Sequence, residues 1–275
     1  MEYKLVVNSS CELTEELKNG TETALVPFTL MLGERCFRDD ETLDVHDFVS
    51  EMKAFPDAAR SGCPSPDDYL RAFEGEKAVF GITISSALSG SYAAATAACS
   101  LLGKAAERVH IFDSKSASAG EILVAYKIRE AVERGLSRAQ VIETVTAYID
   151  TMKTLFVLED TDNLVKNGRM SRLLGKAATA LRLCPILGSD DGKIVSCGHA
   201  RGTAQAISKL ASLIGTYCRD TRGRILVITH CENEAAALRL RRLAEDLYQF
   251  KQIVVQRTGG LSSLYANRGG IIAAF

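Results

Sequence analysis

The chain has 275 residues, 47% of them apolar and 24% charged, with 21 Gly and 5 Pro. That balance excludes a disordered, collagen-like or coiled-coil chain and fits one large or two modest globular domains. Thirty-three basic against 34 acidic residues leave a charge of −1, without the basic surplus by which nucleic-acid binders neutralise phosphates.

There is no Trp and aromatics are only 7%, so Ala, Leu, Ile and Val must fill the interior. The opening run Tyr3–Val7 reads as a strand and is too short for a secretory or membrane-spanning segment. Ala24–Leu32, Ala78–Ile84 and Val109–Phe112 carry further strand signals. Gly33-Glu34 between Thr29–Leu32 and Arg35–Phe37 predicts a hairpin in a side excursion. A helix is expected from Asp44 onwards, burying Val45, Phe48, Val49 and Met52. Ser65-Pro66-Asp67-Asp68 predicts another: a capping serine, a proline at the first helical position, and acids at the positive helix end. Helices follow over Ser91–Leu102, Ala119–Arg134 and Ser137–Met152. Strand–helix alternation of this kind predicts a parallel sheet covered on both faces.

The second half changes character. Leu155–Leu158 reads as a strand, and Thr161–Lys166 and Leu173–Leu183 as helices. Ser189-Asp190-Asp191-Gly192 predicts a hairpin between Pro185–Leu187 and Lys193–Cys197. Helices over Thr203–Cys218 and Asn233–Tyr248 alternate with strands over Arg224–His230, Gln252–Gln256 and Gly270–Phe275. The expected architecture is an N-terminal three-layer α/β/α domain with a parallel sheet (residues 1–153) and a C-terminal α+β domain with a mixed sheet (154–275).

Eight dispersed cysteines without Cys-x-x-Cys, and four scattered histidines, give no metal or redox motif. They read as reduced thiols in a cytoplasmic protein, with no cofactor. Gly168–Ala177 looks like a phosphate loop, but six residues separate its glycines and Ala177 stands where a magnesium-binding hydroxyl belongs. No Gly-x-Gly-x-x-Gly and no Gly-x-Ser-x-Gly occur. The polar signals are three serine-rich loops: Asn8-Ser9-Ser10, Arg60–Ser65, and Ser85–Ser91 running into a helix. The last sets hydroxyls beside free N–H groups, an arrangement suited to an anion. The plain alternative is helix capping and turn filling.

In combination these loops resemble the DegV family of bacterial fatty-acid-binding proteins over nearly the whole chain. Asn8-Ser9 stands where family members carry Asp-Ser, and Ser61-Gly62-Cys63-Pro64-Ser65 where they carry Thr-Ser-Gln-Pro-Ser. Ile84–Tyr92 is similar to the family's I-S-S-x-L-S-G-T-Y, and Asp113-Ser114 and Arg201-Gly202 match further pairs. Leu164–Ser171 is similar to L-x-K-G-G-R-x-S with Asn167 at one glycine. Tyr265–Gly269 replaces His-x-Gly-Pro-Gly, so the histidine is gone. The resemblance implies that Ser61, Ser89 and the Gly90 N–H hold the carboxylate of a long-chain fatty acid, its tail in a tunnel between the domains. Either Tyr265 supplies the missing histidine's contact through its hydroxyl, or that contact is lost. The resemblance implies a fatty-acid kinase as partner, Arg169 as a partner contact and Arg201 near the head group. Ala93, Ala94, Ala95, Ala97 and Ala98 either leave room for the tail or pack closely on the sheet. The reading is thus a lipid-binding protein with no catalytic residue, metal, nucleic acid or stable membrane insertion. The alternatives are an enzyme (a serine-type acyl hydrolase or a phosphotransfer enzyme) and a regulatory partner without ligand.

Overall fold

The computed structural model of the chain describes residues 1–171 and 183–275. Strands β1 (Tyr3–Asn8), β2 (Glu22–Val26), β6 (Ala78–Thr83) and β7 (Val109–Asp113) form a wholly parallel sheet in the order β2-β1-β6-β7. The inner strands β1 and β6 are apolar and largely buried because helices cover both faces. On one face α4 (Ser91–Leu101) lies beside α3 (Pro66–Ala72), whose capping box is made by Ser65 and Asp68 with Pro66 at the first helical position. Ala95 and Ala98 of α4 are fully buried against Tyr69, Phe73 and Val79. Ala95 and Ala98 therefore serve close packing on the sheet, Ala93 and Ala97 are exposed, and none of the five alanines lines the cavity described below.

The other face carries α5 (Ala119–Glu133), with α6 (Arg138–Thr151) packed against it. Ten residues of α5 are buried, including Ile122, Leu123 and Val124 in succession. A helix apolar all round must be enclosed on all sides. The enclosure comes from the second sheet: α5 packs on β6 and also on β11 (Ile225–His230) and β13 (Ile271–Ala274).

That second sheet adds β8 (Thr154–Val157), β9 (Cys184–Asp190), β10 (Lys193–Ala200) and β12 (Gln252–Arg257), in the order β10-β9-β8-β13-β11-β12. It is mixed, with β11 and β12 parallel and the other pairs antiparallel. The β9–β10 hairpin turns at Asp191 and Gly192, both at positive φ, as a two-residue turn requires. Helices α8 (Thr203–Tyr217) and α9 (Glu234–Leu247) cover the face away from α5. The helix expected over Leu173–Leu183 falls almost wholly on residues 172–182, outside the described ones.

A small antiparallel sheet, β4-β3-β5, stands to the side: β3 (Thr29–Leu32), β4 (Arg35–Arg38) and β5 (Arg60–Gly62). The run expected as one strand over Ala24–Leu32 is two strands. Pro27 has no N–H for a ladder, and there the chain leaves the parallel sheet for the side sheet. Arg60–Gly62, expected as loop, is the third strand, with Leu30 opposite Ser61. Helix α2 (Val45–Ala54), capped by Asp44, packs on α10 (Gly260–Ala266), a short helix absent from the sequence expectation. The last short pieces are α1 (Glu15–Lys18) and α7 (Asp162–Lys166). The largest apolar cluster crosses from one sheet to the other, joining Leu5 and Ile82 to Leu187, Val227 and Ile272. No described helix is long and apolar enough to cross a membrane.

Candidate functional site

In an open parallel sheet, ligands collect beyond the carboxyl ends of strands where the order reverses. Here β1 has β2 on one side and β6 on the other, so the loops after β1 and β6 flank the switch point. The loop after β1 holds Asn8, Ser9 and Ser10, and the loop after β6 holds Ser85–Ser91. Asn8 Nδ2 donates to Ser91 Oγ at 3.3 Å, tying one loop to the other. Asp113 at the end of β7 accepts from Ser86 N–H at 3.1 Å and Lys115 N–H at 3.0 Å, so a third strand end fixes the same loop.

Beneath these loops lies a largely apolar cavity, partly open to solvent. Its wall draws on both large sheets, the side sheet and α10, with Ile84, Phe156, Leu158, Leu164, Leu261 and Ile272 as apolar lining. Ser61, Ser89, Arg169 and Tyr265 all line it. Ser61 Oγ and Tyr265 Oη are hydrogen-bonded at 2.9 Å across 204 residues. One hydroxyl must donate to the other, which leaves one hydrogen of the pair for a ligand. Ser89 Oγ accepts from Ser91 N–H at 3.2 Å, so its own hydrogen has no acceptor among the described residues. Gly90 is the N-cap of α4; it is exposed and sits beside the cavity lining rather than in it.

Arg169 joins the two groups. Its Nε donates to Leu88 O at 3.3 Å, and its guanidinium lies 5.7 Å from the centre of the Tyr265 ring, within cation–π range. Its Nη1 donates to Asn167 O at 2.6 Å, and the Asn167 amide donates to Ala59 O and Asn163 O, both at 2.8 Å. Asn167 has φ −90°, open to any residue, whereas Gly168 has φ +74°. Hence only the second of the two positions in that motif demands glycine. Arg201 is exposed just before α8, its N–H bonded to Gln205, and it does not line the cavity.

Sequence reasoning did not reach a second polar group on the same cavity. Ser10 and Ser262 line it, 1% and 6% exposed. Behind them stand Glu121 and Glu12. Burial pushes the Glu121 carboxyl well up, and the charge of Glu12 adds to the rise. Burial likewise raises Glu12 to about 7, against hydrogen bonds that favour its charge. Those come first from the Ser262 hydroxyl, then from Gly259 N–H at 2.9 Å and Ser118 Oγ–H at 2.8 Å. Asp39, also pushed up by burial, accepts from Gly260 and Leu261 N–H at 2.8 Å each and anchors the start of α10. The available signal was Glu121 itself, a lone acid in the apolar run Ala119–Ala125. Among the described residues no cluster of His, Cys, Asp and Glu is arranged to hold a metal ion.

With that geometry in hand, the comparisons with known proteins are specific. A family model described as an uncharacterised protein of the DegV family matches residues 2–274. A DegV domain-containing protein of Streptococcus pneumoniae is 33% identical over all of this chain and 99% of its own length. A crystal structure of a DegV family protein from Ruminococcus gnavus with vaccenic acid has a TM-score of 0.94 at 33% identity, covering 99% of each chain. The Fatty Acid Kinase (Fak) B3 protein of S. pneumoniae, loaded with linoleic acid, has a TM-score of 0.92 at 33% identity, covering 100% of this chain and 99% of that one.

Proposed function

Because the chain belongs to the DegV family, we propose that it binds a long-chain fatty acid in the cavity between its two domains, residues 1–153 and 154–275. The observation that carries the reading is the cavity itself: apolar along most of its wall, with hydroxyls and an arginine gathered at one place. The Ser89 hydroxyl, the Gly90 N–H and the spare hydrogen of the Ser61–Tyr265 pair take the carboxylate, so Tyr265 fills the place of the family histidine. Arg169 lies close enough to add charge. Burial contributes about 0.8 kcal/mol per methylene, so roughly 14 methylenes supply on the order of 11 kcal/mol. Association costs of about 4–15 kcal/mol consume much of that, and hydrogen bonds to the charged head add about 1.5–3 kcal/mol each. The tail carries affinity and the hydroxyls set direction.

The protein then acts as a cytoplasmic carrier rather than an enzyme. It presents the acyl carboxylate to a fatty-acid kinase, with Arg169 at the cavity and the exposed Arg201 available to that partner. Organic extraction and mass spectrometry of the purified protein should recover long-chain fatty acid. Lipid-free protein that also ignores added fatty acids would refute the reading.

A further inference from the structure

Charge along the cavity wall is one-sided. Arg169 and Lys193 line it, and among the described residues no Asp or Glu does. Arg169 is held in place: its N–H groups go to the carbonyls of Leu88 and Asn167, and its guanidinium lies over the Tyr265 ring. Lys193, the first residue of β10, is exposed and also lines the cavity, so it stands at the mouth. It has no ion-pair partner among the described residues. Asp191 is taken by Lys115 at 2.9 Å, and Asp190, opposite Lys193 across the hairpin, lies beyond ion-pair distance. The hairpin tip that carries Lys193 is clasped to the first half of the chain. Ser85 Oγ donates to Gly192 O at 2.9 Å, and Ser189 Oγ donates to Lys115 O at 2.8 Å. Gly192 has φ +79°, and a Cβ there would collide with Ser85 Oγ, so this close approach requires glycine. Ser89 N–H in turn donates to Ser85 O at 3.1 Å, which puts a single turn of chain between the clasp and the head-group hydroxyl.

Hydroxyls alone do not select a charged head group. Ser89 and the Ser61–Tyr265 pair can donate to the oxygen of a neutral alcohol or amide as well as to a carboxylate. Selection for the anion needs positive charge where the head comes to rest, and the wall supplies it twice. We propose that Lys193 is a second cation for the head group. Arg169 meets the serine loop at Leu88, and Lys193 reaches it from the Gly192 side, so the mouth favours an ionised carboxylate and discriminates against neutral single-chain lipids. The apolar stem of Lys193 keeps contact with the wall while its ammonium stays in water. The proposal rests on the fatty-acid reading above and adds what the site rejects.

The full-length protein is incubated with equal amounts of hexadecanoic acid and hexadecanol, at a pH well above the usual carboxylate range, then repurified and its bound lipid quantified by mass spectrometry. Wild type should retain the acid in excess. In Lys193→Gln the acid-to-alcohol ratio should fall about two- to fivefold, the range for one partly exposed charge contact, and Lys193→Arg should restore it. Raising salt from about 0.05 M to about 0.5 M should lower the wild-type ratio more than that of Lys193→Gln. Hexadecanol offered alone should be retained equally by all three proteins, which a general loosening of the hairpin would not allow. Equal retention of acid and alcohol by the wild type, an unchanged ratio in Lys193→Gln, or a drop that Lys193→Arg does not repair overturns the role of Lys193 while lipid binding stands. Retention of neither lipid by the wild type overturns the fatty-acid reading and the role of Lys193 with it.

Discussion

Ser89 offers a hydrogen that nothing among the described residues accepts, while its oxygen is held by Ser91 N–H. Removing that hydroxyl takes the acceptor from the first N–H of α4 and one charge-assisted donor from the carboxylate. Ser89→Ala should therefore weaken fatty-acid affinity about 10- to 100-fold in a titration, while the lipid-free protein loses only about 0.5–1.5 kcal/mol of stability with the freed Ser91 N–H. Hydrogen counting also decides the state of Glu121. Ser10 Oγ lies 2.7 Å from Asn8 Oδ1 and is bonded to Glu121 as well, yet it owns a single hydrogen for two acceptors. The second contact needs a proton on Glu121, which agrees with the direction in which burial pushes that carboxyl. Glu12 is raised from 4.5 to about 7 by the same burial. An acid whose folded value is raised binds its proton more tightly when folded, so its contribution is complete below about pH 4.5 and is lost as pH rises through about 7. Glu12 keeps part of its surface, so the upper figure is on the order of 3 kcal/mol. Thermal melts from about pH 5 to pH 8 should show falling stability in the wild type and a flatter profile in Glu12→Gln. A profile equally steep in the variant would remove Glu12 from the account.

Among the elements, α10 carries the most function for its length. Its seven residues hold Ser262 and Tyr265, and its first N–H groups are satisfied by Asp39, some 220 residues earlier in the chain. Asp39→Ala would leave two buried N–H donors without acceptors, a cost of about 1–3 kcal/mol each. The variant should lose roughly 2–5 kcal/mol in denaturant unfolding. It should also bind fatty acid more weakly than Ser61→Ala, because the whole helix is released. Equal affinity in Asp39→Ala and wild type would show that α10 is held by other contacts. The same helix marks how far sequence reading could go. Elements with a local cause were legible: α3 from Ser65-Pro66-Asp67-Asp68, the β9–β10 hairpin from Asp191-Gly192, and the parallel strands β1, β6 and β7 from their apolar runs. Elements with a distant cause were not. β5 is a strand only because β3 pairs with it, and α10 begins where Asp39 arrives from another sheet. The site divides likewise. The Ser85–Ser91 loop declared itself, and the resemblance supplied Ser61 and Tyr265. The Ser61–Tyr265 bond and the Glu12–Glu121 pair needed three-dimensional proximity that no spacing encodes.

At the scale of the whole molecule, the aliphatic-rich, tryptophan-free composition is spent on two sheets that share one central helix. The cavity opens where the loop before α5, the side sheet and α10 meet the second sheet. Its wall therefore belongs to neither half alone: Ile84 comes from the first, Thr154, Gly188 and Ile272 from the second, and Ser61 from the side sheet. A fatty acid seated there touches all three, and a ligand bound only by the folded state adds RT ln(1 + [L]/Kd) to stability. At a concentration about 100 times Kd that is about 2.7 kcal/mol, which for a chain of this size moves the melting temperature by about 5–10 °C. Because the contacts span both sheets and the apolar cluster already runs through them, the gain should appear as one transition moving upward in calorimetry. Two transitions, only one of them shifted by fatty acid, would instead place the tail within a single half. The tail would then have to lie against one half of the wall only, contrary to a wall shared by Ile84 and Ile272.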